Sequence, residues 1–408
     1  MKILYVLSMA LAFSMEIDSI SVPYFLKYII AFMWIIIGAF YDHVEGCFFT
    51  LRITKIKKDL FKLFLIPIAV AFSYTCMIWL AGQSGHITFS NFTRLISNLG
   101  CMAIIAASAI MCTTIFGKDV IRLTFAALVF TIGFNALVVI QNYGLSPMIT
   151  YITHVFQADS YEYGSTLSRV SYAMEIHDGT FAMGIFLLYF VFYEEAEMKT
   201  RLLQIVMALL CSYLGFKRNE LIGILVVSVI AITVVRKKGK DFLRTNQIVT
   251  FAVLIACFSF VLAVKYLDQM TLLLSVLDIY RIRVYRFIRE MYSVSPFYIG
   301  KGYSYVNFIL GNQNKLLGTS HSDLVRVYTE MGFVAWIWYY FTYIPRYIYR
   351  NYSELAGKMF MMFSFYVFST YFLDNTLTLF ANQFVYYVVP IAILYDEYGR
   401  NTQLEQEI

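Results

Sequence analysis

Apolar runs long enough to cross a bilayer dominate this chain, and they remove most of the folds otherwise open to 408 residues. A hydrocarbon core about 30 Å thick takes roughly 20 apolar residues per helix. Runs near that length fall at residues 3–18, 24–41, 63–82, 97–116, 123–141, 179–193, 202–216, 221–235, 247–266, 324–344, 359–373 and 376–395, about twelve in all. Hydrophobic residues make up 60% of the chain and charged residues only 14%, whereas a soluble domain is about one quarter charged. These features predict an all-α, polytopic integral membrane protein, with residues 1–408 forming a single transmembrane domain.

The few charges are sorted. With the N-terminus inside, the segments 52–62, 118–122, 199–201, 236–244 and 346–358 and the two tails hold 19 of the 32 Lys and Arg residues. The other 13 lie outside, and eight of those fall between Lys265 and Arg326. Elsewhere the outer loops carry few cations, as the positive-inside rule requires, so both termini are expected in the cytoplasm. A net charge of +6, spread this thinly, gives no footprint for nucleic acid. The six cysteines form no C-x-x-C pair and lie in or beside apolar runs, where small core or lipid-facing residues are expected.

Two outer connections are long: 142–178, between the fifth and sixth runs, and 267–323, between the ninth and tenth. Loops of roughly 40 and 55 residues are uncommon unless they have a function. The second contains Arg281, Arg283, Arg286 and Arg289. On a helix the last three share an arc of about 120°, with Arg281 outside it. Such a helix can lie on lipid headgroups, or its guanidinium forks can grip phosphate. The outward placement favours phosphate, because anionic-lipid attraction belongs chiefly to the cytoplasmic leaflet. Pro296, Gly300 and Gly302 follow, a pattern that by itself marks a turn.

Next comes Gly318-Thr-Ser-His321-Ser-Asp323, leading into an apolar helix that carries Arg326, Glu330 and Gly332. Ser320, Ser322 or Asp323 can cap that helix. His321 stands at its mouth, and Arg326 and Glu330 are spaced for an i,i+4 pair. In the first long loop, Arg169 precedes Glu175, His177 and Asp178, whose spacing lacks a facial metal arrangement, so no metal is expected. The turn Lys217-Arg218-Asn-Glu220 joins two apolar runs and reads alone as a salt-bridged interfacial turn. Tyr161, Tyr163, Tyr292, Tyr303 and Tyr305 can stack on sugars or belong to the interfacial aromatic belt.

The order of these motifs resembles that of the Wzy-type polysaccharide polymerases and the related O-antigen ligases. The resemblance covers about residues 165–345. It rests on Arg218 in a short outer turn, on Pro296-x3-Gly300-x-Gly302, and on His321-Ser322-x-Leu324-x5-Glu330-x-Gly332; the spacing from Arg289 to Gly300 also matches. Ser322 stands where Asn is common, and Lys217-Arg218 replaces a Ser-Arg pair. The resemblance implies a glycosyltransferase of the GT-C type, without metal or cofactor, in a bacterial cytoplasmic membrane. It would polymerise undecaprenyl-diphosphate-linked oligosaccharides into an O-antigen, capsule or exopolysaccharide, with lipid-linked donor and acceptor, membrane lipid, and flippase and chain-length regulator proteins as partners.

On that reading His321 is the catalytic base. Arg218, Arg286 and Arg289, with Arg283 and Arg169 behind them, hold the diphosphate. Gly300, Gly302, Glu330, Gly332 and Arg326 form the supporting motif. Two alternatives stay open: a ligase passing the glycan to a lipid A core or a protein, and a non-enzymatic flippase or exporter. The exporter class should show two similar halves, which the sequence lacks.

Overall fold

A computed structural model describes residues 1–14, 25–44, 55–85, 87–154, 165–174, 177–215, 218–270, 279–313 and 322–407 except 373, together with residues 23 and 320. Among these residues all regular structure is helical, without a strand. The helices are α1 (Lys2–Phe13), α2 (Leu26–Val44), α3 (Lys55–Phe64), α4 (Ile66–Leu80), α5 (Phe89–Phe116), α6 (Asp119–Tyr143), α7 (Leu145–Thr153) and α8 (Thr166–Met174). They continue with α9 (His177–Phe192), α10 (Met198–Gly215), α11 (Arg218–Arg236), α12 (Gly239–Lys265), α13 (Ile279–Ile288) and α14 (Tyr305–Gln313). The last are α15 (Asp323–Met331), α16 (Val334–Trp338), α17 (Ile344–Asn351), α18 (Glu354–Thr370) and α19 (Phe380–Glu407).

Four stretches are long and apolar enough to cross a membrane: Lys55–Leu80, α5, α6 and α12. A fifth is formed if α8 and Gly179–Phe192, bent by 51°, make one span. On α11, Ile222, Leu225, Val229 and Ile232 form one exposed apolar stripe. Water would penalise such a stripe and lipid tails would not. The chain is therefore a helical membrane protein.

The chain divides into two compact units, residues 1–56, 104–228 and 378–408 in the first and 57–103 and 229–377 in the second, with divisions falling inside α3, α5 and α11. In the first unit α9 is the central helix, packed by α10, α19 and α6 and buried along Phe181–Leu188. Lipid tails are as apolar as the side chains, so helices here adhere through close packing and hydrogen bonds. Phe125 meets Phe186 and Phe190 at ring centroids 5.2 and 4.9 Å apart, and Asn135 Nδ2 donates to the Ala173 carbonyl at 2.8 Å. At one end of this unit Arg122 pairs with Glu194 (3.1 Å), Lys118 with Asp396 (3.3 Å) and Arg400 with Glu195 (2.6 Å). These are cations that the charge distribution assigns to the inside.

Within the first long connection, α7 and α8 pack on each other. Glu220 is buried and accepts a hydrogen bond from the Ser212 hydroxyl at 2.7 Å, which docks α11 against α10. Lys217 lies outside the described residues.

In the second unit α12 runs beside α15, α16 and the π-turn Tyr339–Tyr343 that joins α16 to α17, while α18 packs on α17. Thr250 and Thr342 hydroxyls meet at 2.9 Å between α12 and that turn. The run expected to be one helix over 324–344 is broken. α15 ends at Gly332, where φ is +63°, and a new helix starts at Val334. A Cβ at Gly332 would collide with the Tyr298 carbonyl oxygen, so a crossing backbone sets the break.

Candidate functional site

The chemistry-bearing residues of the second unit lie on the segment that follows α12. A 3-10 turn, Leu267–Gln269, ends that helix and presents Asp268. Arg286, in the last turn of α13, donates from Nε to Asp268 Oδ1 at 2.8 Å. Arg289, in the 3-10 turn that follows, donates from Nη1 to Asp268 Oδ2 at 2.7 Å. One carboxylate thus holds two guanidiniums side by side. Their hydrogen bonds, Arg289's first and Arg286's second, hold the Asp268 carboxyl below its usual range, and the same contact raises Arg289.

The cluster is tied to the end of α12 from beneath. Lys265 Nζ donates to the Arg289 and Tyr292 carbonyls at 2.6 and 3.0 Å and lies over the Tyr292 ring. Those bonds fix the backbone that carries Arg289. Arg289 Nε also lies 3.2 Å from Glu290 Oε1, and the two forks face one pair of oxygens, a spacing that phosphoryl oxygens share. Arg283 is exposed and has no ion pair among the described residues.

Arg281 points another way, as its helical position predicts, and reaches Asp374 at 3.9 Å. Asp374 neighbours the mouth of α15. Its carbonyl accepts the Asp323 N–H at 3.1 Å, and Asn375 Oδ1 accepts the Ser320 hydroxyl at 2.8 Å. Ser322 supplies the N-cap, accepting the Val325 N–H at 3.3 Å and donating to the Tyr371 carbonyl at 3.1 Å. His321 itself lies outside the described residues, but both of its sequence neighbours are fixed in this polar corner. Arg281 thereby reaches the corner that holds the flanks of the histidine.

The glycine motif has a specific mechanical role. Gly302 donates its N–H to the Glu330 carbonyl at 2.7 Å, and Lys301 donates to the Thr329 carbonyl at 3.0 Å. The loop thus crosses the C-terminal end of α15 in backbone contact. Gly300 has φ +84°, and a Cβ there would fall on the Glu330 carbonyl. Trp79 Nε1 and the Ser84 hydroxyl both donate to the Lys301 carbonyl, at 2.9 and 2.5 Å, which pins the same loop to the end of α4.

Two expectations are corrected here. Arg326 does not pair along the helix with Glu330; its Nη2 sits 2.8 Å from Asp323 Oδ1, an i,i+3 contact in the buried first turn. Glu330 instead accepts the Val306 N–H at 3.0 Å, capping α14. Tyr292 and Tyr303 are buried, Tyr292 edge-on to Tyr328 and Tyr303 in a cluster with Leu95 and Leu99, so neither offers a face to a sugar.

Arg169, exposed on α8, and Arg218, the first residue of α11, belong to the first unit. Glu175, Tyr161 and Tyr163 lie outside the described residues. Sequence reasoning missed Asp268 and Lys265. Asp268 precedes its two partners by 18 and 21 residues, and no periodic pattern links such positions. Its only sequence signal is an acid set just past the end of a span, at the start of a loop rich in arginine. No protein-family model, curated protein or solved structure matches the chain.

Proposed function

We propose that the chain is a glycosyltransferase of the GT-C type that joins undecaprenyl-diphosphate-linked oligosaccharide repeat units into a surface polysaccharide. On this reading it crosses the bacterial cytoplasmic membrane about twelve times, keeps both termini in the cytoplasm and works on the outer face. The observation that carries the reading is the convergence of Arg286 and Arg289 on one carboxylate just beyond the apolar helix α12. A lipid-borne diphosphate presents its charge at that depth, where the apolar span gives way to polar loop.

The acceptor sugar's hydroxyl oxygen attacks the anomeric carbon of the growing chain. The bond from that carbon to the diphosphate oxygen breaks, and the hydroxyl proton passes to His321. Negative charge then grows on the leaving diphosphate, where fixed guanidiniums stabilise it most. Arg286 and Arg289 fill that role, with Arg218, Arg283 and Arg169 as further contributors. A histidine titrates near neutral pH and suits the proton transfer.

The test is polymerisation of purified lipid-linked repeat units by the full chain in proteoliposomes. The wild type should yield a ladder of lengthening glycans. His321→Ala should fall by roughly 10²–10⁴-fold. Arg289→Lys keeps the charge but loses the fork, and should fall about 10²-fold. Full activity of His321→Ala would end the base assignment. Translocation of intact lipid-linked units without polymer would overturn the enzyme reading in favour of an exporter, and transfer only to a lipid A core would make the chain a ligase.

A further inference from the structure

The second unit carries a separate cationic site at the other end of α12. A cavity of about 290 Å³ is lined by Lys240, Leu243, Arg244 and Gln247 of α12 and by Arg346 and Arg350 of α17. Four cations and no carboxylate face it. None of the four has an ion pair among the described residues, and Arg346 Nε is buried without a hydrogen-bond acceptor. Glu354, close in sequence to Arg350, is already engaged by Lys358 Nζ at 2.7 Å and by the Gly239 N–H at 3.0 Å. A seat so unbalanced calls for an anion with several oxygens.

Position decides which anion. From Lys240 to Lys265, α12 rises roughly 37 Å at 1.5 Å per residue, about the thickness of the hydrocarbon core and part of its headgroup regions. The cavity therefore sits at the leaflet opposite Asp268, Arg286 and Arg289, on the side to which the basic-residue distribution assigns the inside. Along the same helix, Lys240, Arg244, Ile248, Phe251 and Ile255 fall within an arc of about 80°. The first two are charged. The next three are apolar and exposed, at 60%, 65% and 52%. One face of α12 thus passes from charged to apolar, Arg244 to Ile255, over about three turns.

We propose that this cavity binds the phosphate of an anionic phospholipid headgroup, with an acyl chain laid along Ile248, Phe251 and Ile255. The ligand is a lipid rather than a soluble phosphate because the charged seat opens directly onto that apolar stripe. Basic pockets between membrane helices on the inner face suit such headgroups. Neither Arg346 nor Arg350 takes part in the glycosyl transfer proposed above, so binding is read without activity.

The full-length protein in neutral detergent would be titrated with short-chain phosphatidylglycerol, with phosphatidylcholine of equal chain length, and with inorganic phosphate. Phosphatidylglycerol should saturate, while the other two bind at least tenfold more weakly. The double variant Arg346→Gln/Arg350→Gln should bind phosphatidylglycerol about 25-fold more weakly, about fivefold for each cation removed. Phe251→Ser, on the exposed stripe, should weaken phosphatidylglycerol and leave inorganic phosphate unchanged; it also serves if the double variant fails to fold. Equal affinity for phosphatidylglycerol and inorganic phosphate would overturn the lipid assignment. Undiminished phosphatidylglycerol binding by the folded double variant, or by Phe251→Ser, would overturn the site.

Discussion

The Glu330 carboxylate accepts the Val306 backbone N–H at 3.0 Å, and by that bond the end of α15 holds the start of α14. Both partners are buried. The acidic residue of the His321-x8-Glu330 motif is thus a cap between two consecutive helices, which places it in the supporting frame.

Removal of that acceptor strands a buried donor. Glu330→Ala should cost about 2 kcal/mol, from a lost charge-assisted hydrogen bond and a missing cap. Glu330→Gln keeps an acceptor oxygen in place and should cost less than half as much. Thermal unfolding of the purified protein in detergent separates the two; equal losses would show that charge, not the acceptor, matters there.

The glycine loop gives a sharper contrast. Gly85 has φ +72° with nothing within 4 Å of a built Cβ, so Gly85→Ala should cost only the left-handed backbone penalty of about 1 kcal/mol. Gly300 has a similar φ, but its Cβ would enter the Glu330 carbonyl. Gly300→Ala must open the backbone clasp, at about 3 kcal/mol or more. Hydrogen exchange across residues 298–306 should accelerate in Gly300→Ala and stay unchanged in Gly85→Ala.

Hydropathy made the helices legible because lipid forces their apolar length: α5 and α6 contain the expected runs, and α12 contains its run up to Lys265 and starts earlier, at Gly239. The Ser322 cap was legible because Ser at a loop–helix junction has a local reason to be there. The break at Gly332 was not. It depends on the Tyr298 carbonyl arriving from residues more than thirty positions away, and an apolar flank on each side reads as one span. The arginine cluster was half legible. Helical spacing separated Arg281 from the others, but the switch to a 3-10 turn at Arg289 and the carboxylate at Asp268 are tertiary facts. Likewise Arg326 and Glu330 fit an i,i+4 pair on paper, and lose it because each finds a better-placed partner at its own end of α15.

Asp268 competes with any phosphate for Arg286 and Arg289. Asp268→Asn leaves the shape and removes the charge shared by both arginines, with Glu290 still 3.2 Å from Arg289 Nε, so inorganic diphosphate should bind the full chain several-fold more tightly, by direct titration. The pH dependence follows from the lowered carboxyl. Its stabilising contribution is complete above the ordinary Asp value of about 3.9 and is lost as pH falls through the lower, folded value. Exchange protection of residues 286–291 should therefore hold from neutral pH down to about 4 and fall only below it. Loss of protection between pH 5 and 7 would mean that another group closes the cluster.

Asp323 and Arg326 form a buried ion pair in the first turn of α15, and Asp323 also accepts the Leu377 N–H at 2.5 Å, joining that turn to the segment after α18. Truncating one partner leaves the other charge buried and uncompensated, which typically costs 3–5 kcal/mol. Asp323→Leu should therefore cost about 4 kcal/mol, and Arg326→Met a similar amount. Together, Asp323→Leu with Arg326→Met removes both charges and leaves only the stranded Leu377 N–H, at about 1–3 kcal/mol. The double variant should thus unfold at a higher temperature than either single one. A strictly additive loss would mean the two side chains stabilise α15 independently, and the pairing at 2.8 Å contributes nothing of its own.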